Sequence, residues 1–394
     1  PPDGGLTAWL VVAGGWCCLF VSFGWMTCIG VFQAHYERDQ LASYSASAIG
    51  WIPSVETFFF FVGAPFIGKV FDSYGTRPLL VFGTLFHVLG LMMLSLCQEY
   101  YQFFLAQGVC SAVGASALFW AANNAVGTWF RRKRGLALGI VSSGSSAGGV
   151  VGTAAIPSLI SRVGFGWAVR IIAFIYLALL IVALGTVKSR LKHTPSRFRP
   201  LELIRPLKDW YVDSLGIAGF LFFLGVFLPY NFMVVEAIGS GMDRTLADNL
   251  LVILSATSVL GRIVPGWAGD RLGRFNVTIA FTFLSSLVTL AIWIPASNDA
   301  TRVAFAALYG FSSGTFVSMV PTLIAQVCPD ITRLGIYMGA VYLVISPAII
   351  ITQPVGGALA GLGYNNMTWM KAFGGLVMFL GGFMFVVARQ AYLR

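Results

Sequence analysis

The chain has 394 residues, of which 57% are hydrophobic and only 10% charged. A soluble domain carries about 25% charge, so this chain cannot cover a soluble surface and is read as a polytopic membrane protein. Its net charge of +10 would suit nucleic acid in a soluble protein; here it is expected to mark cytoplasmic loops, and no nucleic-acid partner is expected.

The chain opens with Pro1-Pro2-Asp3 and no basic stretch. No secretory signal is expected, and a first residue other than Met suggests a trimmed N-terminus. Apolar segments follow at about 7–34, 45–69, 79–97, 101–129, 135–161 and 167–187. They resume at about 213–236, 247–268, 276–295, 301–327, 334–361 and 367–389. The apolar runs are continuous, which indicates helices and not barrel strands, and each can cross roughly 30 Å of hydrocarbon. An all-α membrane protein of twelve transmembrane helices is predicted. Residues 1–187 and 213–394 form two six-helix bundles, joined by a cytoplasmic linker at 188–212. That linker holds Lys188, Arg190, Lys192, Arg197, Arg199, Arg205 and Lys208, a charge set suited to an anionic membrane face. With the N-terminus inside, the cytoplasmic breaks hold 18 Lys and Arg. The outer breaks hold 6, namely Arg38, Arg162, Arg170, Arg244, Arg302 and Lys371. Both termini are therefore expected in the cytoplasm. The six cysteines lie in or beside apolar segments and read as small core residues, so neither a disulfide framework nor a metal site is expected.

The chain repeats itself. "GKVFDSYGTRP" after the second segment and "GWAGDRLGR" after the eighth share G-x-x-x-D-x-x-G, with aspartates 198 residues apart. The first copy holds Gly68, Asp72, Gly75 and Arg77; the second holds Gly266, Asp270, Gly273 and Arg274, with Arg271 beside them. The fifth and eleventh segments are both glycine-rich, which allows close helix packing. Two pseudo-symmetric halves follow. The motif is expected in a tight loop whose aspartate caps a neighbouring helix and pairs with the arginines, as a conformational latch. The alternative is a plain loop with topogenic charges.

These features resemble the major facilitator superfamily. Within it the chain is similar to the monocarboxylate-transporter family, most of all its fungal homologues. "DGGLTAW" at the start of the first helix is similar to that family's acidic-glycine-aromatic motif. "WFRRKRGLALGIVSSGSSAGG" at the start of the fifth is similar to its aromatic-basic-glycine motif. The resemblance implies alternating access, with two bundles rocking about a site near the midplane. In the animal carriers a helix 1 lysine and a helix 8 Asp-x-x-x-Arg pair handle proton and carboxylate. Arg262 matches the arginine, but Ser258 stands at the aspartate and Thr27 at the lysine, which points away from lactate.

Arg262 lies eight residues before Asp270, about 12 Å from that helix end. A cation there must face a cavity or a partner, and it reads as an anion-binding fork or as a structural pair. Glu56 lies sixteen residues before Asp72, about 24 Å away, and is the proton-coupling candidate or a plain buried glutamic acid. Asn123, Asn124, Asn231 and Gln353 are candidates for the cavity wall, or are contacts between packed helices. Trp25, Tyr230, Tyr309 and Phe311 are aromatic candidates, and a lone His87 is read as silent.

Neither a catalytic motif nor a phosphate-binding loop is present, so neither an enzyme nor a nucleotide-driven pump is expected, and no cofactor. The function read from the chain is secondary active transport of a small organic anion, a carboxylate by preference, with protons as the candidate coupling ion. The alternatives are transport of a larger, weakly charged metabolite, or a non-transporting receptor on the same scaffold. A monomer is expected, in the plasma membrane or alternatively an organelle membrane, with the lipid bilayer and a small molecule as its partners.

Overall fold

The computed structural model describes residues 2–195, 200–362 and 367–393. Arg197, Arg199 and Arg394, counted above among the cytoplasmic cations, lie outside the described residues. Among the described residues, twelve helices are long and apolar enough to cross a membrane, and no strand occurs. They are α1 (Leu6–Arg38), α2 (Ala48–Tyr74), α3 (Thr76–Leu94), α4 (Tyr100–Trp129), α5 (Arg134–Val163) and α6 (Phe165–Thr186). After a short helical turn at Pro200–Ile204 come α7 (Trp210–Gly239), α8 (Arg244–Leu272) and α9 (Arg274–Trp293). The last three are α10 (Asp299–Val327), α11 (Ile331–Leu362) and α12 (Thr368–Leu393).

Most helices run past the apolar edges from which they were read. An α-helix satisfies its backbone internally, so it continues into polar sequence at no loss of hydrogen bonds. This changes the place of the repeated motif, which was expected in a loop. Gly68 and Asp72 lie in the last turns of α2, and Gly266, Asp270 and Arg271 in the last turns of α8. Each turn is a single glycine with positive φ, Gly75 at 80° and Gly273 at 95°. A side chain there would be strained, which is why glycine ends each helix.

The helices fall into two compact units. The first comprises Pro1–Arg131, Ile140–Leu203 and Asp330–Gly339. The second comprises Arg132–Gly139, Ile204–Pro329 and Ala340–Arg394. In the first, Phe23, Phe60, Phe61, Phe119 and Trp120 form one aromatic cluster, with centroids 4.8–6.3 Å apart. In the second, Trp293, Phe305 and Tyr309 stack in series, and Phe222 stacks on Phe316 at 4.4 Å. Such rings tie helices together through area and quadrupole contact.

Two local departures from α geometry matter later. A π turn spans Phe104–Ser111 in α4, and a second spans Thr289–Trp293 in α9. Each opens the ladder and re-aims side chains, a device frequent at functional sites.

Helix contact in the first unit depends on backbone approach at Gly114, where an added Cβ would strike the His87 backbone and the Gly83 carbonyl. Gly114→Val is therefore expected to cost about 1–3 kcal/mol. Gly185→Val, where nothing lies within 4 Å, is expected to be neutral. Melting curves of the two purified variants test the difference.

Candidate functional site

The twin aspartates make the same contacts. The Asp72 carboxylate accepts from the amides of Gly335 and Ile336, both at 2.8 Å. The Asp270 carboxylate accepts from the amides of Gly135 and Leu136, both at 2.9 Å. Each thus supplies two acceptors to the exposed amides that open a helix, α11 in one case and α5 in the other. Close approach makes this reach feasible, because Gly68 lies against Gly335 and Gly266 against Gly135, with no room for a Cβ. The partners differ in one respect. Asp270 also binds Arg274, at 2.8 and 3.0 Å. Arg77, expected to pair with Asp72, is exposed and makes no ion pair among the described residues. Arg271 lies over the Trp267 ring at 4.2 Å. Just before α11, the Thr332 hydroxyl and amide donate to Asp330, which holds its carboxyl below the ordinary value.

The two motifs that open α1 and α5 also meet. Asp3 Oδ1 accepts from the Arg131 amide at 2.5 Å, and the Asp3 amide donates to the Trp129 carbonyl at 3.2 Å. Trp9 packs edge-on against Phe130 at 5.3 Å.

Arg262 is buried in α8, at 2% exposure. Its stretch is pinned from α10: the Thr315 hydroxyl donates to the Gly261 carbonyl at 3.0 Å, and Gly261 abuts the Phe311 backbone. Tyr230 on α7 lies within electrostatic reach of both Arg262 and Tyr309. Tyr309 itself is buried and donates to the Val226 carbonyl at 2.9 Å, so its hydroxyl is engaged in helix packing. Phe311 is half-buried against Phe281 at 5.6 Å. Asn231 and Gln353 are exposed. Thr27 sits at a break in α1, where its hydroxyl donates to the Gly24 carbonyl at 2.7 Å. Asn123 donates to the Phe119 carbonyl at 2.9 Å, whereas Asn124 is fully buried with neither amide atom hydrogen-bonded among the described residues. An unsatisfied buried amide costs about 1–3 kcal/mol per group, a penalty that Asn124 carries in this state.

Glu56 on α2 is fully buried and bound by neutral donors. Trp25 Nε1 donates to Oε1 at 2.8 Å, and Gln107 Nε2 donates to Oε2 at 2.7 Å. Gln107 comes from the π turn of α4, and its Oε1 accepts from the Tyr36 hydroxyl at 2.6 Å. Trp25 was read as a pocket aromatic; here its indole nitrogen is committed to Glu56.

A second buried carboxylate escaped sequence reasoning. Glu236 Oε1, on α7, accepts from Lys371 Nζ of α12 at 3.0 Å and lies 3.5 Å from Arg302 Nη2 of α10. Lys371 also donates to the Trp293 carbonyl at 3.2 Å and stands over that ring at 5.3 Å. Arg302 and Lys371 were counted as outer-loop cations, but both are buried inside helices, at 4% and 1% exposure. In the structure all three charges sit about a turn inside the ends of α7, α10 and α12. Lys69, likewise read as a loop cation, pairs with Glu202 at 2.8 Å.

A family model for the major facilitator superfamily matches residues 14–239. The chain is 47% identical over 388 residues to MFS-type transporter 1 of Ophiocordyceps sp. (strain BCC 1869), covering 98% of this chain and 86% of that one. It is 40% identical over 393 residues to a Fujikurins efflux protein of Gibberella fujikuroi, covering 100% and 84%. The fold is similar to the crystal structure of the human organic anion transporter MFSD10, with TM-score 0.79 at 14% identity over 97% of this chain and 100% of that one.

Lys371→Met leaves Glu236 with Arg302 and the Ser240 hydroxyl and is expected to cost roughly 3–5 kcal/mol, since a buried charge loses its nearer cation. The double variant Glu236→Gln/Lys371→Met is expected to recover part of that loss. A double-mutant cycle of melting free energies reads the coupling, and strictly additive effects would exclude it.

Proposed function

The chain belongs to the major facilitator superfamily, and we propose that it exports an organic metabolite of low charge by alternating access. The observation that carries this reading is full-length similarity to a protein named for efflux of fujikurins, 40% identical over 100% of this chain. A relative from Emericella nidulans named for efflux of aspyridones, 36% identical over 97% of the chain, supports the same class. The polar groups on offer agree with it. They are mostly neutral: the unsatisfied amide of Asn124, the exposed amides of Asn231 and Gln353, and the hydroxyl of Tyr230. Each of these groups suits neutral hydrogen-bonding groups on a largely apolar body.

Arg262 favours a second reading, a small organic anion held by the guanidinium, as the likeness to monocarboxylate carriers implies. In either reading protons are the coupling ion and Glu56 the group that carries them. The aspartate caps act as latches that hold while one face is closed and release as it opens. Both termini lie in the cytoplasm, and the protein works as a monomer in the plasma membrane.

Flux into inverted vesicles under an imposed pH gradient separates the readings. For a weakly charged metabolite, Arg262→Ala is expected to change flux less than threefold. For a carboxylate the same change is expected to reduce flux about 10- to 100-fold, the worth of one charge-assisted hydrogen bond. Folded protein that moves neither class would overturn export and favour the receptor.

A further inference from the structure

We propose that Gln107 is the switching partner of Glu56. Its amide turns over when the carboxyl gains a proton, and the Tyr36 hydroxyl completes the chain in both states. This rests on the reading that Glu56 carries the coupling proton.

The argument begins with what each neighbour can do. Trp25 Nε1–H is a donor only, so it holds Glu56 Oε1 whatever the charge state. Gln107 is different, because its side chain presents a donor at one corner and an acceptor at the other. With Glu56 ionised, Nε2 donates to Oε2 at 2.7 Å and the Gln107 carbonyl accepts from Tyr36 at 2.6 Å. A proton on Oε2 makes that corner a donor and puts it against another donor. A half-turn of the amide removes the conflict. The carbonyl then accepts from Oε2–H, and Nε2 donates to the Tyr36 oxygen. The Tyr36 hydroxyl serves in both states because it can either donate or accept. The Glu56 and Gln107 corners that face each other are thus paired donor to acceptor in both states. The proton is taken from water on the side where the site loads and returned to water on the other.

The surroundings suit such an exchange. Glu56, Gln107 and Tyr36 are buried at 0%, 1% and 1% exposure, out of reach of bulk solvent. Among the described residues no lysine or arginine is paired with Glu56. The titratable groups around it are Tyr36 and Cys28 of the α1 span, His87 of α3 and Tyr176 of α6. His87 Nδ1 lies 2.9 Å from the Ser111 hydroxyl and 3.1 Å from the Ser111 carbonyl. Ser111 and Gln107 both belong to the π turn, which therefore aims one residue at each group.

The test is the pH profile of vesicle flux for wild type, Glu56→Gln, Gln107→Met and Tyr36→Phe. Glu56→Gln is expected to be flat; a profile in that variant like wild type, or a flat wild type, removes the coupling reading and this proposal with it. With Glu56→Gln flat, Gln107→Met is expected to move the profile to higher pH by about one unit, because the ionised form loses its stronger bond. Tyr36→Phe is expected to move it less. A Gln107→Met profile that overlays wild type overturns the switch alone. Infrared difference spectra of wild type with isotope-labelled glutamine give a readout independent of variant folding. The carboxyl band that titrates is expected to carry a glutamine amide shift with it, and its titration without that shift overturns the switch.

Discussion

A carboxylate set across two free amides at a helix start is the contact on which the ends of both units depend. Asp72 and Asp270 each bring two oxygens to two amides, at 2.8–2.9 Å. The helix N-terminus carries partial positive charge and unbonded N–H groups, so one side chain meets both needs. The contact is feasible only where backbones nearly touch, and glycine faces glycine beneath each aspartate. A chain with few charges spends two of its acidic residues this way, once in each half of its repeat.

The constraint behind this is general for the molecule. In hydrocarbon no water completes a polar group, so each buried charge or amide needs a protein partner. Lys69 finds Glu202, Arg134 finds the Ala325 carbonyl at 2.5 Å, and Ser286 finds the Gly375 carbonyl at 2.7 Å. Against that background Asn124 stands out, buried with both amide atoms unmet. A penalty of that kind persists where a ligand or another state supplies the bonds, and this weighs in favour of Asn124 as a cargo contact over a packing contact.

The twelve helices were legible because hydrophobic length is a property of contiguous sequence. The twin aspartates were legible because a repeated motif can be read without knowing what it touches. Helix ends were less so: Asp270 and Arg271 look like loop residues, yet backbone bonding carries α8 through them. The Glu236 cluster was not legible, because its members lie at 236, 302 and 371 and no periodicity links them. Gln107 was hidden for a different reason. An amide in an apolar run looks like a minor exception, and its importance comes from a π turn that sequence does not announce.

The two buried glutamates show why partner identity matters more than burial. Glu236 touches two cations, Lys371 at 3.0 Å and Arg302 at 3.5 Å. Its work is to tie together α7, α10 and α12. Glu56 is bound by an indole and an amide, neither charged. Loss of its charge strands nothing, provided the amide can turn. Of the two, Glu56 has no paired cation among the described residues, which is why the proposed proton role is placed there.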